Sequence, residues 1–323
     1  MERKYSIDLL RIISAIAVVI IHVVSASLVH SSSSVALDLS LVLQIIHKLM
    51  NWSVPVFFMI TGYCILAKKE YTYKQCFSHI LKYILVLGTV GFAFAMLEEI
   101  SIYKTINFSV VFNSVGNVIS GKLWDHMWYI YAMIGIYLVL PIIHTFMKTS
   151  FRNRLILTSL LFSFSIVLPL VERWFEIGFE LPIGGYLFYV CFGGMVAYGD
   201  FGKIAKYIIA LLGLPATVCI LIFNDQAFGY FSLPVCLMAV SIFVLISGIN
   251  LHENKVMLEV SKCTFGIYLI HPFFINVAIK VLHIDLLSHL PYLKLSVFLI
   301  VILVLSFATT YILRKIPIIK KIF

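Results

Sequence analysis

Apolar residues gather into ten stretches separated by short polar connections: Ile7 to Leu28, Leu39 to Ala67, Ile80 to Glu98, Met127 to Phe146, Leu155 to Val171, Gly184 to Gly199, Tyr207 to Phe223, Phe231 to Ile249, Phe265 to Leu282 and Leu293 to Leu313. Each approaches the ~20 residues that a helix needs to cross a bilayer. The pattern predicts an all-α polytopic membrane protein of about ten transmembrane helices. No polar interruption is long enough for a soluble domain, so residues 1–323 read as a single transmembrane domain.

Composition supports this reading. With 62% hydrophobic and 12% charged residues and a mean hydropathy of +1.04, a water-soluble fold would expose far more apolar surface than soluble proteins tolerate. The charge is basic, 24 Lys and Arg against 15 Asp and Glu, and it is unevenly placed. With the N-terminus inside, sixteen of the 24 fall on the inner side: Arg3, Lys4, Lys68, Lys69, Lys74, Lys148, Arg152, Arg154, Lys203, Lys206, Lys255, Lys262, Arg314, Lys315, Lys320 and Lys321. Cytoplasmic connections carry that excess, which predicts that both termini are cytoplasmic and that the number of spans is even. The same asymmetry accounts for the basic pI without a nucleic-acid partner, since no Arg-aromatic patch is present. Six scattered cysteines without a Cys-x-x-Cys spacing suggest neither a disulfide framework nor a metal site.

The first stretch holds the most informative polar positions. Arg11 and His22 lie inside an otherwise apolar run, where titratable groups are costly and tend to face a bundle interior or wet cavity. Eleven residues of helix make about three turns, so both project from one face, roughly 16 Å apart along the axis. A neutral imidazole can take a proton from a hydroxyl nucleophile and return it to a leaving group. A signal peptide is the rival reading, from Glu2-Arg3-Lys4, the apolar run and Ser25-Ala26-Ser27. Asp8, Arg11 and His22 interrupt that run and nine spans follow, so the segment reads as a first span.

Other polar positions are candidates for a donor or acceptor site. Asn51 and Ser53 precede Pro55, which removes a backbone donor and frees a carbonyl. His126 and Trp128 open the fourth span at the outer surface, where Trp is an ordinary belt residue but His126 is not. Tyr268 and His271 stand one helical turn apart ahead of Pro272. Glu98 closes the third span beside Glu99. The connection after it has an apolar centre, Phe108 to Val118, that suits an interfacial helix on the outer side. The loop Val171 to Pro182, with Glu172, Arg173, Glu176 and Glu180 among aromatic residues, is suited to a polar acceptor; the four serines from Ser31 to Ser34 suit a mobile loop. The basic C-terminal segment from Arg314 reads as an amphipathic anchor on an anionic leaflet.

Four runs, in order, resemble the acyltransferase-3 family of membrane acyltransferases: Arg-x10-His in the first span; Val54-Pro55-Val56-Phe57-Phe58-Met59-Ile60-Thr61-Gly62-Tyr63; Trp128-Tyr129-Ile130-Tyr131-Ala132 with Tyr137-Leu138 and Pro141; and Phe265-Gly266-Ile267-Tyr268-Leu269-Ile270-His271-Pro272. The resemblance implies transfer of an acyl group, usually acetyl from acetyl-CoA, across the membrane to a sugar hydroxyl of a cell-surface or lipid-linked glycan. It places Arg11 and His22 in the family's essential motif. Acetyl-CoA is then a donor substrate, with no permanently bound cofactor and no metal. Its phosphates are expected at Arg11, Lys68, Lys69, Arg152 and Arg154, with Lys74 nearby, and the ~16 Å between Arg11 and His22 is comparable with a pantetheine arm. His22 as general base and His22 as transient acyl carrier both fit the pattern. Many relatives carry a fused extracytoplasmic hydrolase-like domain, so the expectation is either that the helices perform the whole reaction or that a separate extracytoplasmic acyltransferase partner completes it. A similar module in membrane serine racemases is associated with serine uptake. The alternative is therefore a transporter or exporter of a small polar solute or glycan precursor using the same polar stripe.

Overall fold

The computed structural model describes residues 3–30, 36–175, 185–223, 228–317 and 319–321. The chain is helical throughout, with no strand among the described residues. In order, the helices are α1 (Tyr5–Val29), α2 (Leu37–Met50), α3 (Ser53–Ile65), α4 (Tyr73–Val86), α5 (Phe92–Tyr103), α6 (Phe108–Ser120), α7 (Trp128–Met147), α8 (Phe151–Phe162), α9 (Leu168–Phe175), α10 (Gly185–Tyr198), α11 (Lys203–Leu211), α12 (Gly213–Phe223), α13 (Leu233–Ser247), α14 (Lys255–Asn276) and α15 (Pro291–Leu313). Wider π-type turns join α4 to α5 at Leu87–Gly91 and α8 to α9 at Ser163–Val167, and a third, Val277–Val281, follows α14.

Eight helical segments among the described residues are long and apolar enough to cross a membrane. Each of the ten apolar stretches is helical, and the protein is an all-α polytopic membrane protein. Two of the ten are short: α10 has 14 residues and α13 has 15. The local sequence sets these limits. The α10 helix stops before Gly199, whose φ of 74° lies in the left-handed region that favours glycine. For α13, the start follows Ser232 with Pro234 in the first turn, and the end is at Gly248. The long second stretch divides into α2 and α3 at Asn51 and Trp52, because Pro55 has no N–H to donate to the Asn51 carbonyl.

The helices form two compact units. The first comprises the chain up to Lys68 together with Phe146–Tyr311, and the second comprises Lys69–Thr145 with the segment from Ile312 onward. In the first unit α3 and α10 lie with their backbones in contact. A Cβ at Gly62 would sit 1.8 Å from the Val190 carbonyl oxygen, and one at Gly193 would sit 2.0 Å from that of Met59. Reciprocal glycines allow this approach, in the manner of small-residue helix pairs in membranes. The α1 helix packs on α3 to one side and on α14 to the other, while no substantial contact joins α3 to α14. On the α14 side, Val19 and Val23 bury against Cys263, Ile267 and Ile302; towards α2, Val24 meets Leu39 and Leu43.

Within the second unit, α6 is the helix expected between Phe108 and Val118. Phe108, Phe112 and Ile119 are exposed, whereas Val110 and Ser114 are buried. Glu99 accepts hydrogen bonds from Asn113 Nδ2 (3.2 Å) and Asn117 Nδ2 (2.8 Å), which ties α6 to α5.

Candidate active site

Arg11 and His22 share one face of α1, which packs on α3 and on α14. Both are partly exposed, and the neighbouring Ala15 and Val18 on that face are buried. Towards the N-terminal end of α1, Arg11 Nη1 donates to Asp8 Oδ1 at 2.9 Å and Arg11 Nη2 to Cys64 Sγ of α3 at 3.2 Å. Asp8 is completely buried. It also accepts from Arg3 through Nε (2.8 Å) and Nη2 (3.0 Å), and from Ser261 Oγ of α14 at 2.7 Å. The hydrogen bond to Asp8 holds the Arg3 guanidinium above its already high ordinary range. One carboxylate thus orients two guanidiniums: Ser261 of α14 holds the carboxylate, and Arg11 reaches from it to Cys64 of α3.

Farther along the stripe the His22 ring meets the ring of His271, with centroids 5.1 Å apart and planes inclined at 51°. His271 is fully buried, and its Nδ1 lies 3.0 Å from the Ile267 carbonyl oxygen one turn earlier on α14. The Tyr268 ring is 6.5 Å from that of His271 on the same helix. The fold thus brings His22 to His271, with Tyr268 beside the latter on α14, and leaves Arg11 about three turns away on α1.

The remaining candidates lie elsewhere in the fold. Asn51 Nδ2 donates to the Phe228 carbonyl at 3.0 Å and fastens the α2–α3 break to the segment before α13. Ser53, at the start of α3, is fully buried, and its hydroxyl has no hydrogen-bond partner among the described residues. In the second unit, Glu98 accepts from Trp124 Nε1 at 3.0 Å, His126 is buried edge-on to Phe94, and Trp128 packs against Tyr129. Lys68, Lys69 and Arg152 are exposed. Arg154, expected at a donor phosphate, is instead an internal tie. Its Nε donates to Asp200 Oδ2 at 2.7 Å, Nη2 contacts the other carboxylate oxygen, Nη1 reaches the Thr149 carbonyl at 2.5 Å, and the guanidinium lies 4.4 Å from the Tyr198 ring centre. Glu176, Phe179, Glu180, Pro182 and the serines at 31–34 lie outside the described residues, as do the side chains of Arg173 and Trp174.

Sequence reasoning missed Asp8 and Ser261 as parts of the site. An acidic residue three positions before an arginine, inside an apolar span, was the available signal. Ser261 carried none, because only the packing of α14 on α1 brings it to Asp8.

A family model described as an acyltransferase domain matches residues 4–315. The chain belongs to the acyltransferase-3 family. The match spans α1 to α15, so this member is a membrane acyltransferase. No curated protein and no solved structure matches it significantly.

Proposed function

We propose that this acyltransferase is a multi-pass plasma-membrane O-acyltransferase of a bacterial-type cell, moving an acetyl group from cytosolic acetyl-CoA to a hydroxyl of a cell-surface or lipid-linked glycan. The observation that carries the reading is the placement of Arg11 and His22, both partly exposed, on one face of α1, the helix that packs on α3 and α14. A guanidinium fixed by Asp8 suits the polar arm of an acyl-CoA, and an imidazole about three turns farther on suits its thioester end. The exposed Lys68 and Arg152 have the charge to meet the donor's phosphates; Arg154 is held by Asp200.

In this reading the acceptor hydroxyl oxygen attacks the thioester carbonyl carbon while His22 takes its proton. Collapse of the tetrahedral intermediate breaks the C–S bond, and the His22 proton passes to the departing thiolate. The test is transfer of labelled acetyl groups from acetyl-CoA to glycan by membranes containing wild-type or His22→Ala protein. His22→Ala should lose about 10²-fold or more of the rate while reaching the membrane in normal amount. Wild-type turnover by a well-expressed His22→Ala protein would overturn the assignment.

A further inference from the structure

We infer that the protein holds an anionic phospholipid in a cleft between α8 and α11, with one acyl chain inside and the headgroup at Lys203 and Lys206, which begin α11. The inference goes beyond the acyltransferase reading and does not depend on it. The cleft has a volume of about 230 Å³, and its lining includes Leu155, Ser159 and Phe162 of α8, Met195 of α10, Ile209 of α11 and Val240 of α13. Helix α8 packs on α10 and α11 packs on α13, but no substantial contact joins α8 to α11. Leu155 and Ser159 are exposed while Met195 and Val240 are buried, so the cleft is open beside α8 and closed at its back. The spans that contain α8 and α11, Phe151–Glu172 and Lys203–Phe223, are the least buried of the eight, which sets the opening against lipid.

Size and lining decide what fills the cleft. An apolar cavity of about 150 Å³ already stays dry and takes up benzene, and this one is larger. Thr158 and Ser159 supply the only hydroxyls of a lining otherwise made of Leu, Ile, Val, Phe, Met and Cys, so hydrocarbon fits it better than water. At 1.5 Å per residue, Leu155 to Phe162 lie about 6 to 17 Å beyond the start of α8, the depth of one leaflet's acyl chains. Arg154 Nε donates to Asp200 Oδ2 at 2.7 Å, which fixes the first turn of α8 beside the turn that leads into α11. Both helices therefore begin at the same end of the cleft, with Lys206 one helical turn before the lining residue Ile209. Lys203 and Lys206 have no ion pair among the described residues, and the nearby Asp200 carboxylate is already matched by Arg154. Basic side chains at the mouth of a pocket between membrane helices are the setting in which anionic headgroups bind.

The experiment irradiates the full chain, purified in detergent, with phosphatidylglycerol that carries a photoreactive diazirine in one acyl chain, and maps the adducts by peptide mass spectrometry. Unlabelled phosphatidylglycerol, phosphatidylcholine and a polyprenyl phosphate serve as competitors. Adducts should concentrate on Phe162 and Val240, and phosphatidylglycerol should remove them at lower concentration than phosphatidylcholine. In Lys203→Gln/Lys206→Gln, competition by phosphatidylglycerol should weaken about fivefold for each lysine removed, with competition by phosphatidylcholine unchanged. Ser159→Trp, which adds bulk at an exposed position of the mouth, should lose the adducts while melting near the wild-type temperature. Equal competition by the two phospholipids would overturn the assignment, as would adducts no denser in the cleft than on the outward-facing Leu160 and Ile208. Stronger competition by the polyprenyl phosphate would replace the phospholipid with a carrier lipid and so refute the proposal. None of these readings uses acyl transfer, so their failure is separate from failure of the proposed activity.

Discussion

Asp8 and Ser261, separated by 253 positions in the chain, are joined by a 2.7 Å hydrogen bond in the buried end of the α1–α14 contact. The bond places the carboxylate so that one oxygen, Oδ1, serves Ser261, Arg11 and Arg3 at once, while Oδ2 takes the second contact from Arg3. A carboxylate at this depth is tolerable because its charge is met by two guanidiniums.

Replacing Asp8 with Asn should therefore leave both guanidiniums short of their partner. Removing one member of such a pair costs about 3–5 kcal/mol, and the lower end applies here because Arg3 and Arg11 are partly solvated. The expected result is reduced protein in the membrane and at least tenfold weaker acetyl-CoA binding. Ser261→Ala should be milder, about 1 kcal/mol, since the ion pairs survive. Thermal unfolding in detergent and binding of labelled donor check both; equal effects of the two substitutions would refute the ordering.

Arg11→Lys retains the charge but not the fork. A single ammonium cannot span Asp8 Oδ1 and Cys64 Sγ in the way Nη1 and Nη2 do. Donor affinity should drop severalfold with kcat less affected, as measured by saturation kinetics with acetyl-CoA. Unchanged affinity in both Arg11→Lys and Arg11→Ala would confine Arg11 to a structural role.

Backbone contact between α3 and α10 gives a stability prediction that catalysis does not enter. Gly62→Ala or Gly193→Ala should force the helices apart and destabilise by about 1–3 kcal/mol or more, because each Cβ would meet a carbonyl oxygen. Gly135→Ala in α7, where nothing stands within 4 Å, is the control and should unfold near the wild-type temperature. Similar melting of all three variants would contradict the close approach.

Sidedness can be measured directly. With the N-terminus inside, a cysteine replacing His30 beyond α1 faces outward and one replacing Lys69 faces the cytosol. In a background lacking native cysteines, an impermeant thiol reagent added to whole cells should label position 30 only. Labelling at 69 instead would reverse the orientation derived from the basic residues.

The spans were legible because a bilayer imposes a length and an apolar composition on each one, and these are properties of contiguous residues. The face shared by Arg11 and His22 was legible for a similar reason: helical period fixes it. The meeting of His22 with His271 was not, because nothing in a one-dimensional pattern states which helix packs beside α1. Asp8 read as an interruption of a signal-like run, although its spacing from Arg11 already allowed an ion pair. Arg154 read as a phosphate ligand from charge alone; Asp200, which occupies it, follows the left-handed turn at Gly199, and that turn brings it back to α8. Glu98 drew notice as a lone carboxylate at a span end, yet its partner, Trp124, stands beyond α6 and was invisible to local spacing.

The glycine contact between α3 and α10 also sets apart the two neighbours of α1, one stiff and one yielding. On the α3 side, backbone rests against backbone, and no side chain is interposed that could change rotamer to make room. On the α14 side, Pro272 breaks the hydrogen-bond ladder just beyond His271, and the wider turn at Val277–Val281 loosens the helix again. Of the two helices against α1, α14, which carries His271, is thus the one whose backbone can bend, whereas α3 is fixed by its glycine contact.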